Sequence, residues 1–348
     1  MNALLISDLH LTDNPRDEYR WALFPWLVEI MPKHGVKDLY ILGDLTESKD
    51  RHTSRLVNRI VDNLLKLYRQ GNLLKIYVLR GNHDGLDPTC PYFRFLQHVP
   101  SIQYVATPYL FPPTTDRQVL MLPHTTEPET AWKDVGMRDA DFVFMHATVK
   151  GSRGENEFEL PGVSLDLLKE AKRAKIFSGD VHVPQVVGPV EYVGAPYPVR
   201  FGDAFKGRVV LLKNYRVPES LPFPSIQRLV ITLDPSDDSM TIRGGDDAHS
   251  KDQVKFRVRL APSDYLDWGK LKDQVVELCK DVGLELHGLE LEKVAVKRPR
   301  IGQSKLVAQS KSPDEIFLAY CSGASVGEDV AMTGASLLLD AHNETSQN

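Results

Sequence analysis

The chain has 348 residues, 42% hydrophobic and 26% charged, enough for one large and one smaller domain around a substantial core. A formal net charge of −5 argues against a protein that coats nucleic acid through bulk positive charge, though not against one that meets phosphate only at a metal centre. Cys90, Cys279 and Cys321 are scattered and odd in number, which excludes a disulfide framework or a zinc ribbon and fits reduced thiols.

The N-terminal stretch Met1–Asp8 has neither a basic region nor a long apolar one, so no secretory signal is expected there. No apolar run reaches membrane-spanning length, and a cytoplasmic location without membrane contact is expected. Ala3–Ser7 reads as a strand. Glu18–His34 reads as a helix through Trp21, Phe24, Leu27, Val28 and Met31, with Pro25 either distorting it or marking a late start. Asp38–Leu42 is a second strand and Ser54–Tyr68 an amphipathic helix through Leu56, Ile60, Leu64 and Leu67. Leu74–Leu79, Val119–Leu122, Asp141–Met145 and Ile176–Ser178 are further strands, the last preceded by a helix over Leu165–Ala174. These strands are continuous apolar runs, as strands buried on both faces are. A layered α/β or β-sandwich core flanked by helices follows.

Beyond about Leu212 the character changes. Pro218, Pro222 and Pro224 punctuate a connector. Arg228–Leu233 and Met240–Arg243 read as a hairpin, and Val254–Leu260, Tyr265–Val282 and Leu284–Val296 as strand, helix, strand. The segment Lys293–Lys311 holds six basic and no acidic residues, and two helix candidates follow, Asp314–Cys321 and Glu328–Ala341. Ser312 and Pro313 form a helix start for the first of them. The expected division is 1–213, 214–298 for a small α/β domain, and 299–348 for a basic linker and a short helical C-terminal tail.

Five polar clusters follow apolar strands: Asp8-Leu9-His10, Gly43-Asp44, Gly81-Asn82-His83-Asp84, His146, and Gly179-Asp180-Val181-His182. In open α/β sheets, the carboxyl ends of strands are where sites assemble. Two divalent metals about 3.5–4 Å apart clamp the oxygens of an in-line phosphoryl displacement, and each needs several oxygen or imidazole ligands. Asp-x-His puts two such ligands on one side of an extended strand end. Asp44 stands where a bridging carboxylate can reach inward, and Asn82 offers an amide oxygen. One Asp-x-His is commonplace, whereas the ordered set of five is not.

The set resembles the calcineurin-like metallophosphoesterases, whose pattern runs Asp-x-His, Gly-Asp, Gly-Asn-His-Asp or Gly-Asn-His-Glu, His, and Gly-His-x-His. The resemblance covers roughly residues 1–210 and implies a layered core with a central β-sandwich. It implies that Asp8, His10, Asp44 and His182 hold one metal, and that Asp44, Asn82, His146 and Asp180 hold the other. His83 would stabilise charge on the phosphate or protonate the leaving oxygen. The family usually has His where this chain has Asp180. A carboxylate there is a hard-metal ligand that favours manganese or magnesium, unless it points away and leaves the second metal weak.

Tyr192-Val193-Gly194-Ala195-Pro196-Tyr197-Pro198, followed by Phe201, is similar to a segment of the SbcD-type DNA repair exonucleases, including phage recombination nucleases. That likeness implies a DNA-facing cap in the small α/β domain, and C-terminal helices that dock on an SbcC-type coiled-coil ATPase subunit. It leaves room for a homodimer. The expected protein is then a two-metal nuclease using Mn2+ or Mg2+, with DNA as partner. Arg200 is expected to steady the backbone, and Lys297, Arg298 and Arg300 to contact phosphates or an acidic partner surface. Two other readings stay open: a phosphodiesterase or phosphatase for small nucleotides, and a catalytically weak subunit that binds DNA ends or an ATPase.

Overall fold

The computed structural model describes the chain apart from residues 88, 113–116, 155–157, 204, 235–240, 244–250, 261–267, 294–316, 319–320, 323–326 and 346–348. Its organisation begins with alternation along the strands. In β1 (Asn2–Ile6), Ala3 and Leu5 face one apolar layer while Leu4 and Ile6 face another. The next strands, β2 (Val36–Ile41) and β3 (Lys75–Leu79), repeat this, with Tyr40 and Tyr77 on one side and Leu39, Ile41, Ile76 and Val78 on the other. Every second residue of a strand points to the same face, so a sheet with apolar residues at all positions must be covered twice.

Two six-stranded sheets provide the cover for each other. In the first, β1, β2, β3 and β4 (Ile102–Val105) run parallel, and β11 (Arg208–Lys213) and β12 (Val217–Pro222) extend it antiparallel beyond β1. In the second, β6 (Val119–Leu122), β7 (Phe142–His146), β8 (Lys175–Gly179) and β10 (Val190–Tyr192) run parallel. Its edges are the antiparallel strands β5 (Tyr109–Phe111) and β9 (Val186–Val187). Leu5, Tyr40 and Tyr77 of one sheet meet Val119, Met121, Phe142, Phe144 and Phe177 of the other in a shared layer. Asp38 is buried in the amino-terminal half of β2, where Tyr215 donates a 2.5 Å hydrogen bond to its Oδ2 and lies 3.0 Å from the hydroxyl of Tyr40.

Helices α1 (Leu23–Lys33) and α2 (Ser54–Gln70) cover the outer face of the first sheet, α2 through Leu56, Ile60, Leu64 and Leu67. The helix expected over Glu18–His34 is divided. Pro15–Ala22 is a 3-10 turn capped by Asn14, and α1 begins at Leu23. Pro25 then lies in the first helical turn, where its missing N–H has no carbonyl to serve.

The helix expected over Leu165–Ala174 is only the 3-10 turn Leu165–Leu168, continued by tight turns. Leu167, Lys169, Ala171 and Ala174 donate their N–H groups to carbonyls three residues back. Leu165, Leu168, Ala171 and Ala174, three positions apart, pack with Leu167 on the core of the second sheet's outer face.

A four-stranded sheet follows, in the order β14 (Thr241–Arg243), β13 (Arg228–Asp234), β15 (Gln253–Leu260), β16 (Glu285–Lys293). The antiparallel pair β13–β14 is the expected hairpin, its turn lying outside the described residues. The helix Trp268–Val282 buries Val275 and Cys279 in this sheet's own core. By its contacts the chain divides into Met1–Glu292 and Lys293–Asn348. In the second part, the helix Glu328–Thr345 carries Gly334 against the ring of Phe317. Among the described residues no helix is long and apolar enough to cross a membrane.

Candidate metal centre

Because β1, β2 and β3 are parallel, as are β6, β7 and β8, the segments leaving each sheet gather at one end. There the chain departs from extended geometry. Asp8, His10, Asp44 and Asp180 have φ of 57°, 43°, 51° and 77°, in the left-handed region that side chains with a Cβ seldom occupy. Backbone bonds hold the first two strand exits together, Asp8 N–H to the Gly43 carbonyl at 3.2 Å and His10 N–H to the Asp44 carbonyl at 3.0 Å. Such conformations persist only where the surroundings impose them, and they concentrate at functional sites.

Glycine permits the close approach that follows. A Cβ on Gly43, at φ 91°, would run into the ring of His146, and one on Gly81 would run into the Asp44 carboxylate. Asp84 ties the exits of β2 and β3 together, accepting from Gly81 N–H at 2.8 Å and Leu45 N–H at 2.9 Å. Burial, and then the charge of Asp44, push its carboxyl up to about 6.

The functional groups converge on Asp44. Its Oδ2 lies 3.5 Å from His10 Nε2 and its Oδ1 3.3 Å from His146 Nε2, so its two oxygens face two separate imidazoles. His10 Nε2 and His182 Nε2 stand 3.2 Å apart, and these two residues form one cluster with Asp8. Asp8, Asp44 and His146 form another. Asn82 Oδ1 is 3.1 Å from His146 Nε2. Asp180 accepts a 2.7 Å bond from Thr148 through Oδ2, while its Oδ1 lies 3.7 Å from His146 Nε2. Its backbone N–H donates to Asp8 Oδ1 at 3.0 Å.

The electrostatics are those of charges held close in a dry site. Burial raises the pKa of Asp8. It opposes the charge of Asp44 as well, but His146 with His10 and His83 outweigh it and hold that carboxyl below the ordinary range. Burial likewise opposes charge on His146, and Asp44 overcomes it and raises that imidazole well above its usual value. Nδ1 of His146 donates to the Leu42 carbonyl at 2.6 Å, which leaves Nε2 to face the carboxylates.

These donors suit divalent cations. Asp8 Oδ2 is wholly buried and has no hydrogen-bond partner, an arrangement that is costly for a carboxylate unless a positive charge compensates it. Two imidazole nitrogens directed at each other, His10 and His182, are reconciled by a cation between their lone pairs. The set is nitrogen and oxygen without sulfur, which suits hard and borderline ions.

The sequence model of the calcineurin-like phosphoesterase family (Metallophos) matches residues 1–184. The chain belongs to this family. No curated protein matches it at a significant level. Among solved structures, the phosphoesterase is similar to the nuclease MPE of Pseudomonas putida, with 17% identity over 63% of this chain and 87% of that one and a TM-score of 0.32. It is also similar to a dimetal phosphatase from Danio rerio, with 12% identity over 64% of this chain and 98% of that one and a TM-score of 0.39.

Of the residues singled out in the sequence, the phosphoesterase brings Asp8, His10, Asp44, Asn82, His83, His146, Asp180 and His182 into one site. His83 takes Asp44 Oδ1 on its backbone N–H at 2.9 Å, and its Nδ1 donates to the Glu47 carbonyl at 2.7 Å. Arg200 lines the cleft that also contains Asp180 and His182. Lys297, Arg298 and Arg300, with the helix start at Ser312 and Pro313, lie outside the described residues.

Two residues of the site had no expected role. Glu47 Oε2 is 2.9 Å from His10 Nδ1, and that bond above all lowers the Glu47 pKa to about 2. His124 follows β6 with its ring 6.3 Å from that of His146, and burial, with His146, lowers its pKa to about 4. The available signals were Glu47's place three residues after Asp44 and His124's place at a strand end.

Proposed function

We propose that this phosphoesterase is a manganese-dependent nuclease acting on DNA ends, as one subunit of a double-strand-break-repair or recombination complex with a coiled-coil ATPase. The observation that carries the reading is a cleft of about 320 Å³ beside the metal centre, whose lining includes Arg16, Arg20, Arg200, Arg228, Lys255 and Phe201. It reaches the site through Glu47, which also lines it, and through Arg200. Its cations come from both the sandwich and the four-stranded sheet. Arg228 of β13 donates to the Val199 carbonyl at 2.7 Å, and its guanidinium lies 4.4 Å from the Phe201 ring. Lys255 Nζ of β15 lies 4.8 Å from the same ring. Asp17 also lines the cleft and pairs with Arg20 and Arg228, so the cations left to meet phosphate are Arg16, Arg200 and Lys255, with the half-buried Phe201 ring beside them. Such a strip suits a strand of phosphates, whereas a mononucleotide needs no surface of that extent.

At the centre, Asp44 with Asp8, His10 and His182 would hold one cation, and Asp44 with Asn82, His146 and Asp180 the other. Bound there, divalent cations would supply Lewis-acid activation of water and charge neutralisation on the phosphate. Glu47 pairs electrostatically with His10 at Nδ1, the nitrogen other than the one that faces Asp44, and so would favour that ring orientation. The Glu47 carbonyl takes the Nδ1 proton of His83, so its Nε2 is left to face the departing sugar oxygen, and in the imidazolium form that nitrogen would hand it a proton. Arg200 would hold the neighbouring phosphate.

The test compares Mn2+-supported hydrolysis of linear duplex DNA, bis-p-nitrophenyl phosphate and mononucleotides. DNA should be cut, and Arg200→Ala and Lys255→Ala should slow DNA cleavage far more than hydrolysis of the small diester. Release of phosphate from mononucleotides with DNA left intact would overturn the nuclease reading in favour of a small-nucleotide phosphatase.

A further inference from the structure

Of the three aspartates in the candidate ligand set, Asp180 alone is partly exposed, its side chain by 18%, while Asp8 and Asp44 are buried. A carboxylate free to turn about its last bond can offer a cation one oxygen, both or neither. At Asp180 that freedom is restricted. Thr148 Oγ1 donates to Oδ2 at 2.7 Å, within the short range of a hydroxyl bonded to a carboxylate. This leaves Oδ1 as the oxygen toward the centre, 3.7 Å from His146 Nε2. The backbone is tied as well. Asp180 N–H donates to Asp8 Oδ1 at 3.0 Å, with Asp180 at a left-handed φ of 77° that only its surroundings can maintain.

The Thr148 hydroxyl is itself a fixed point. Threonine is β-branched, which stiffens its first side-chain torsion. The residues on either side are anchored to the second sheet. Ala147 N–H donates to Ser178 Oγ at 3.2 Å, and Val149 N–H donates to the Tyr192 hydroxyl at 2.8 Å. Ser178 of β8 and Tyr192 of β10 are fully buried. The Thr148 carbonyl accepts from Val163 N–H at 2.9 Å. None of these bonds involves a candidate ligand. They hold the segment that carries Thr148, and its hydroxyl passes that rigidity on to Asp180, as a locked outer partner does for a ligand.

We propose that Thr148 is a positioning residue of the second cation site: by holding Oδ2 it makes Asp180 a one-oxygen ligand, directed through Oδ1. The coordination position that a two-oxygen grip would occupy is thereby left for a substrate oxygen. The inference rests on the two-cation reading of the centre and is independent of whether the substrate is DNA.

Calorimetric titration of the chelated, metal-free protein with Mn2+ tests it. The wild type should bind two ions. Thr148→Val keeps the shape and deletes the hydroxyl, and should weaken one of the two sites by about 10–100-fold while leaving the other unchanged. Thr148→Ser keeps the hydroxyl and should recover most of that loss. Asp180→Asn should weaken the same site, and adding Thr148→Val to it should cost little more, because the two residues act as one unit. A merely structural hydroxyl would instead lower the melting temperature of the metal-free protein with both Mn2+ affinities intact, and that result would overturn the proposal. So would a tighter second site in Thr148→Val, the sign of a hydroxyl that draws Asp180 away from the cation. Asp180→Asn leaves Thr148 in place and keeps the test decisive should Thr148→Val not fold, since two ions bound with wild-type affinity would also overturn the proposal. Failure to cut DNA would leave this titration untouched, so the two readings fail separately.

Discussion

Glu47 shows how one side chain outside the ligand set governs a ligand. Its carboxylate lies 2.9 Å from His10 Nδ1 and so favours the orientation in which Nε2 faces Asp44 and His182. Removing such a partner typically lowers metal affinity or activity by about 10–100-fold. Glu47→Gln keeps the shape and loses the charge, and a loss of that size is expected in Mn2+ titration. His146 leads to a second expectation. Its raised pKa means that the metal-free imidazole is protonated at neutral pH, so a cation arriving at Nε2 must displace a proton. Binding should therefore release protons and strengthen as pH rises, which calorimetry in two buffers of different ionisation enthalpy will read. Without metal the sign is opposite. Stability contributed by the protonated His146 is complete below the unfolded pKa, near 6.5, and is lost as pH rises through the elevated folded value.

At the scale of elements, the strands deliver the site and the glycines after them give it room. The strand exits were legible in the sequence because each apolar run stops abruptly at Asp, Asn or His, and a buried strand has no other reason to end that way. Pro25 was legible as a disturbance, but its remedy, a late α1 after a 3-10 turn, depends on how the preceding segment packs. The short edges β5 and β9 carried no usable signal, since only the register with a neighbour makes a strand of so few residues, whereas the apolar run Val209–Leu212 in β11 is as plain as those of β1 and β2. Glu47 and His124 were obscure for a related reason, because their partners lie far along the chain or in the other sheet. The buried pair of Asp38 and Tyr215 was equally hidden, spanning β2 and the turn after β11. Tyr215→Phe would strip a buried carboxylate of a charged hydrogen bond, and a loss of about 1.5–3 kcal/mol is expected from urea denaturation.

For the whole molecule, the joined sheets carry two kinds of demand. Their shared apolar layer favours close packing, while the common end holds like charges and left-handed backbone that oppose it. A ligand that binds only the folded state stabilises it in proportion to its excess over Kd, by about 2.7 kcal/mol at a hundredfold excess. Exhaustive chelation should therefore lower the melting temperature, and readdition of Mn2+ should restore it. A melting curve indifferent to both would show that the cluster around Asp44 holds no cation.

The alternation along β1 has one more consequence. Loss of a single residue between Asn2 and Ile6 would exchange the tenants of two apolar layers at a stroke, because a strand can shift only by turning over. The same slip would drag Asp8 and His10 one step along the sheet, to the wrong side of the ribbon. Length in this short strand is therefore under double constraint, and an insertion or deletion there should be tolerated less well than almost any substitution.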